Sequence, residues 1–249
     1  KLGKQEFVSL LVLVLLVSSL SGFLTGALVG GTLYPGSSDQ PSSALPIPDS
    51  KIEEWKTVAA SSEIASTWPY VITGSVTLGP VKINCDLRIK GNAVITLLGH
   101  VWVVGNIAIE NNAIIKIDAS LGDKSVTIIA DNPSNRTTSS KVELENSAVF
   151  QNSGTEGSYI LVVSQNNSAE NGGNEKAIEV GNSASGDLLV YAGHGEISLS
   201  NSVDLKEATG YKIRLKNTAN VVYETGLASL LFDSGPGGGY AVSVWKEVE

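Results

Sequence analysis

Five patterns of hydrophobic and polar positions follow one another along the chain. The stretch 7–33, FVSLLVLVLLVSSLSGFLTGALVGGTL, carries no charged residue. At ~1.5 Å per residue a helix of that length reaches about 40 Å, beyond the ~30 Å hydrocarbon core of a bilayer. Residues 34–48, YPGSSDQPSSALPIP, are dominated by Pro, Ser and Gly and predict an extended linker. In 49–66 (DSKIEEWKTVAASSEIAS), Ile52, Trp55, Val58 and Ala59 recur at helical spacing behind a candidate N-cap at Asp49 or Ser50. This predicts a short amphipathic helix packed on the following domain as a cap. From 67 to 232 the period shortens to alternation, with β-branched residues and Asn or Gly turns, which predicts short strands. The segment 233–249 (DSGPGGGYAVSVWKEVE) predicts a Gly-rich turn and a closing strand.

Within the alternating region one unit recurs: LRIKGNA (87–93), IAIENNA (107–113), VELENSA (142–148), IEVGNSA (178–184), ISLSNSV (197–203) and IRLKNTA (213–219). The starts are 20, 35, 36, 19 and 16 residues apart, near one or two units of about eighteen, which is the spacing of a β-solenoid. The two apolar positions share one face of a short strand and point inward. The Gly or Asn that follows tolerates left-handed backbone and turns the chain, and stacked Asn side chains can bond each other's backbone along the axis as a ladder. The small residue after the corner leaves little bulk where the wall bends. Apolar runs at 101–104, 126–130, 159–164 and 188–192 predict a second wall. The expected fold class is therefore mainly β: an N-terminal apolar helix followed by a β-solenoid head. A jelly roll or sandwich is the alternative for so many short strands.

Composition narrows the function. The net charge of −8 disfavours nucleic acid, whose phosphates attract basic surfaces. With Cys85 as the one cysteine, no internal disulfide can form. The apolar stretch reads as a signal peptide, a membrane anchor or a helix packed among its own kind in a filament; its length disfavours the first. Gly22, Gly26 and Gly30 recur every four residues on one helix face and permit close approach of neighbouring helices. Basic residues and Gly3 precede the stretch, and Glu6 stands at its edge beside Phe7. A lone carboxylate in apolar surroundings needs a partner.

Several short motifs in order carry a family resemblance: LGPVKI (78–83), GNI (105–107), NNA (111–113), GSYI (157–160), YKI (211–213), YETGLA (223–228), SGPGGG (234–239) and WKE (245–247). Over about 49–249 the chain resembles the head of PilX-type, β-helical pilin-like proteins, and its apolar stretch is similar in kind to a type IV pilin helix. The resemblance implies pilus assembly or surface display and no catalytic site. It also implies a role for Glu6, the carboxylate that neutralises a neighbour's terminal amine as subunits enter the filament. The register departs from the usual fifth mature position, being third if processing follows Gly3 and sixth if Lys1 is the mature start.

Candidate chemistry is sparse. His100 and His194 have no metal-ligand spacing, no nucleophile motif occurs, and Gly235–Gly239 lacks the strand, helix and Lys of a phosphate loop. Asp118, Asp123, Asp131, Asp187 and Asp204 could converge as a carboxylate cluster on one wall, and Asp118 with Asp123 could hold calcium. Asn135 and Asn166 head the sequons NRT and NNS. The expectation is a non-enzymatic structural subunit without cofactor or metal. It would polymerise through its stalk helices after a membrane stage with the pilus assembly machinery, into an extracellular filament on the cell surface. A membrane-tethered minor pilin or adhesin with a surface or carbohydrate ligand is the alternative, and a surface polysaccharide-active enzyme the third.

Overall fold

The computed structural model of the protein describes residues 46–217 and 219–221. The apolar stretch, with Glu6, Phe7, Gly22, Gly26 and Gly30, lies outside the described residues, as do the linker up to 45 and the closing segment. Among the described residues no helix is long and apolar enough to cross a membrane.

What is described is mainly β, and its strands pair in parallel, each with the strand one turn of chain later. Numbered in chain order, they form three walls. The first holds β1 (Glu63–Ile64), β4 (Val81–Ile83), β7 (Val101–Val103), β10 (Val126–Ala130) and β13 (Ile160–Ser164). The second holds β2 (Tyr70–Ile72), β5 (Leu87–Ile89), β8 (Ile107–Ile109), β11 (Val142–Leu144) and β14 (Lys176–Val180). The long strands β16 (Leu188–Leu199) and β18 (Glu207–Leu215) continue both walls, with an irregularity after Ala192 where they turn from one to the other. The third is a seven-stranded sheet of β3 (Ser75–Leu78), β6 (Val94–Leu97), β9 (Ile114–Ile117), β12 (Val149–Gln151), β15 (Ser185–Gly186), β17 (Asp204–Leu205) and β19 (Asn220–Val221). The chain thus winds as a solenoid-like coil of parallel strands. The antiparallel pairing that a jelly roll or sandwich requires is not what these strands do.

The second wall aligns the repeat in the register its sequence suggests: Leu87, Ile107, Val142, Ile178, Ile197 and Ile213 are successive partners. Tyr70–Ile72 adds a preceding rung. Inward residues from all three walls, such as Ile89, Ile109, Leu144, Ile95, Ile115, Phe150, Val103 and Val162, form one core. Stripping a Leu or Ile side chain of water contributes about 1.5–3 kcal/mol, and stacking identical positions repeats that gain at each rung.

In its later rungs the first wall is apolar on both faces. Ile129, Leu161, Val163, Leu189 and Tyr191 point away from the core and are covered by the helix α1 (Asp49–Ala59) through Ile52 and Trp55. The sequence places this helix over an end of the coil; it lies on a flank, because the first wall's outer face is the apolar surface needing cover. It is also shorter than 49–66, since Glu63–Ile64 already belongs to the coil. Its N-cap is Pro48, with no capping side chain, and Lys56 rather than Val58 completes the buried face.

Candidate functional site

Three corners join the walls, and two vary in length. Between first and second wall the connection runs from 84–86 and 104–106 to 131–141 and 165–175. Between third and first wall it runs from 79–80 to 118–125 and 152–159. The corner from second to third wall keeps one length through six successive rungs: 90–93, 110–113, 145–148, 181–184, 200–203 and 216–219.

Its construction follows from its residues. Asn111, Asn146, Asn182, Asn201 and Asn217 hold positive φ between 46° and 59°, and Gly91 does the same in the second rung at 68°. The next residue is often left-handed as well, with Ser147 and Ser183 at φ 66° and Ser202 at 60°. Asn accepts such backbone better than other residues bearing a Cβ. The fourth residue, Ala93, Ala113, Ala148, Ala184 or Val203, is buried against the core, where a larger side chain would meet the rung above.

The Asn side chains form a ladder. Asn182 Nδ2 donates to Asn146 Oδ1 at 3.2 Å, Asn201 Nδ2 to Asn182 Oδ1 at 2.9 Å, and Asn217 Nδ2 to Asn201 Oδ1 at 3.2 Å. Main chain runs in step, the Ser147 amide donating to the Asn182 carbonyl at 2.8 Å and the Ser183 amide to the Asn201 carbonyl at 3.0 Å. The result is an open groove of about 570 Å³ lined by Asn111, Asn112, Asn146, Ser147, Asn182, Ser183, Asn201 and Ser202, with exposed side chains throughout. Beside it on the second wall, burial followed by the charges of Glu143, Glu179 and Glu110 raises the Glu145 carboxyl above its ordinary value. On the third-wall side Val94, Ile114 and Val149 align outward, half-buried.

A second polar constellation fixes α1. Asp131 is fully buried and accepts from Lys56 Nζ at 2.6 Å and from Arg136 Nε and a terminal nitrogen at 2.8 and 2.9 Å. Glu53 accepts from the same Lys56 ammonium at 2.8 Å, and that ammonium lies 4.7 Å from the centre of the Trp102 ring. The Arg136 guanidinium is held charged more firmly than usual, first by its bond to Asp131. His194 spans Glu170, at 2.8 Å from Nδ1, and Asp49, at 3.1 Å from Nε2. Tyr191 Oη donates to the Ile47 carbonyl, and burial pushes its hydroxyl up to about 12.

The carboxylates singled out in the sequence do not converge. Asp118 binds the amide and hydroxyl of Ser120, Asp131 serves the helix network, Asp187 accepts from the Asn152 amide, and Asp123 and Asp204 are exposed elsewhere. Among the described residues no group of three or more His, Cys, Asp or Glu is placed to hold a metal ion. His100 is buried, its Nδ1 accepting from the Thr127 amide. The two sequons differ. Asn135 is exposed, whereas Asn166 is fully buried and donates to the carbonyls of Thr137 and Ser139. The Asn166 amide nitrogen is therefore closed to a sugar in the folded chain. Sequence reasoning found the corner positions but passed over the serine hydroxyls as mere small residues. It named Asp131 only as one of a carboxylate cluster and had no signal for its pairing with Lys56, far away in the chain. No family model, no curated protein and no solved structure matches the chain.

Proposed function

We propose that the chain is a pilin-like structural subunit, polymerising through Phe7–Leu33 into a type IV pilus-like filament with the parallel β-coil displayed outside. The observation that carries this reading is the pairing of a charge-free apolar stretch with a coil of parallel strands, joined by a Pro- and Ser-rich linker. The apolar stretch supplies a surface that is stable only in lipid or against like helices. The coil needs neither metal nor disulfide to explain its stability, since its core is continuous. Glu6 would pair with a neighbour's terminal amine during entry, and the Gly22, Gly26 and Gly30 face would set helix spacing.

Electron microscopy of filaments sheared from cells, with mass spectrometry of the purified fraction, tests the proposal. Thin filaments composed mainly of this chain are expected, and Glu6→Ala is expected to reduce them while leaving the head folded. A chain found only with membranes, or normal filaments from Glu6→Ala, would overturn the subunit role or the Glu6 role respectively. The exposed Asn and Ser groove favours a second reading, a tethered minor pilin or adhesin.

A further inference from the structure

We infer that the groove along the Asn corner is a binding ledge for a linear, uncharged glycan laid parallel to the coil axis. The inference rests on the display reading only in needing the head outside the cell; binding by the purified chain and filament formation are separate readouts, so either can fail alone.

A side-chain amide offers two N–H donors and a carbonyl with two lone pairs. Asn182 gives one N–H to Asn146 and one lone pair to Asn201, so a second N–H and a second lone pair remain on an exposed side chain of the same rung. Beside it the exposed Ser183 hydroxyl adds a group that both donates and accepts, as the exposed Ser147 hydroxyl does one rung earlier. These groups recur at the ~4.8 Å spacing of neighbouring strands. An extended glycan presents hydroxyls, likewise donor and acceptor at once, at intervals close to that spacing. The match extends along a row rather than resting on one pocket.

The comb is rigid before any ligand arrives. Its backbone is locked in left-handed turns and tied rung to rung, so binding orders few side chains, and that cost is a main one in association. Constant length supports a role beyond turning the chain: the other two corners turn it with connections of very different length. The groove's chemistry selects the polymer's charge. No basic residue lines it; its second-wall edge carries Glu145 and the Arg88-paired Glu110, with Lys90 and Lys216 only in the rungs beyond, which disfavours polyanions. The outward row Val94, Ile114 and Val149 begins just past the corner and offers an apolar strip to the C–H faces of pyranose rings.

The test uses the full chain in detergent micelles and immobilised cellohexaose and chitohexaose, with heparin and chitosan as charged comparators. The variant Ser147→Gly/Ser183→Gly removes two hydroxyls from positions with φ of 66°, where Gly relieves strain, so folding is preserved. Binding to at least one neutral probe is expected, weakened about tenfold in the variant, with an unchanged or higher unfolding temperature. Absence of binding to both neutral probes, equal binding by the variant, or stronger binding to heparin or chitosan would each overturn the inference.

Discussion

Replacing Asp131 by Asn removes one charge from the network that ties α1 to the coil. Asp131 is fully buried, and the Lys56 side chain is 5% exposed. In wild-type protein the Lys56 ammonium touches two carboxylates; in the variant the buried one becomes neutral and turns an amide toward two cations. Breaking a buried ion pair by removing one partner costs about 3–5 kcal/mol. Two features place this case at the lower end, about 3 kcal/mol. Glu53 still holds Lys56 at 2.8 Å, and the Arg136 side chain, 33% exposed, can turn to water. For a domain of this size each kcal/mol moves the melting temperature by about 2–4 °C, so a fall of roughly 6–12 °C is expected. Scanning calorimetry of the purified chain reads it, and limited proteolysis next to Pro48 should quicken as α1 loosens. The companion variant Lys56→Met/Asp131→Asn removes the stranded charge and should recover much of the loss. A shift below about 2 °C in the single variant, or a double variant no better than the single, would rule out a stranded buried charge as the cause.

Three further outcomes follow. Because the Glu145 carboxyl sits above its ordinary value, the folded state binds that proton more tightly than the unfolded chain does. The destabilisation is fully present above the raised folded value, shrinks as pH falls through it and is gone below the unfolded one. Glu145→Gln should therefore stabilise by about 0.5 kcal/mol at neutral pH, with solvent screening keeping it small, and by nothing in acid, as read by urea titrations at both pH values. Asn182→Ala should cost about 1–2 kcal/mol, from two ladder bonds and a left-handed backbone; Asn182→Gly should cost less, and equal losses on thermal melting would remove the backbone contribution. Expressed in a host that glycosylates NxS/T sites, the folded chain should carry sugar at Asn135 and not at Asn166, as glycopeptide mass spectrometry can show.

The second wall was legible because its outer face meets water. There the alternation survives in VEL at 142–144 and IRL at 213–215, and each strand ends at an Asn that announces the turn. The first wall was visible as apolar runs but not as a two-sided surface, since VTIIA and ILVVS do not say what covers their outer residues. Thus the helix was foreseen and its seat was not: an apolar stripe on α1 specifies a face, not a destination. The third wall escaped notice. Its strands shrink to two residues at Ser185–Gly186 and Asp204–Leu205, and the outward Val94, Ile114 and Val149 break the alternation. Tyr70–Ile72 was missed as a rung for a similar reason, with apolar Val71 at an outward position. At the candidate site, spacing revealed the corner. The amide-to-amide ladder and the paired hydroxyls emerge only when rungs are stacked.

The corner between first and second wall stretches from 104–106 in one rung to 131–141 in the next, yet the partners on either side keep their register. Growth of the chain at that edge is decoupled from the architecture, because a parallel rung answers only to the rungs above and below it. The exposed tip around Pro133 and Ser134 is accordingly a natural insertion port. An epitope tag or small foreign domain spliced there would ride on the outside of the coil without altering the count of rungs or the Asn ladder. Such a graft would turn the head into a carrier for cargo that evolution never placed on it.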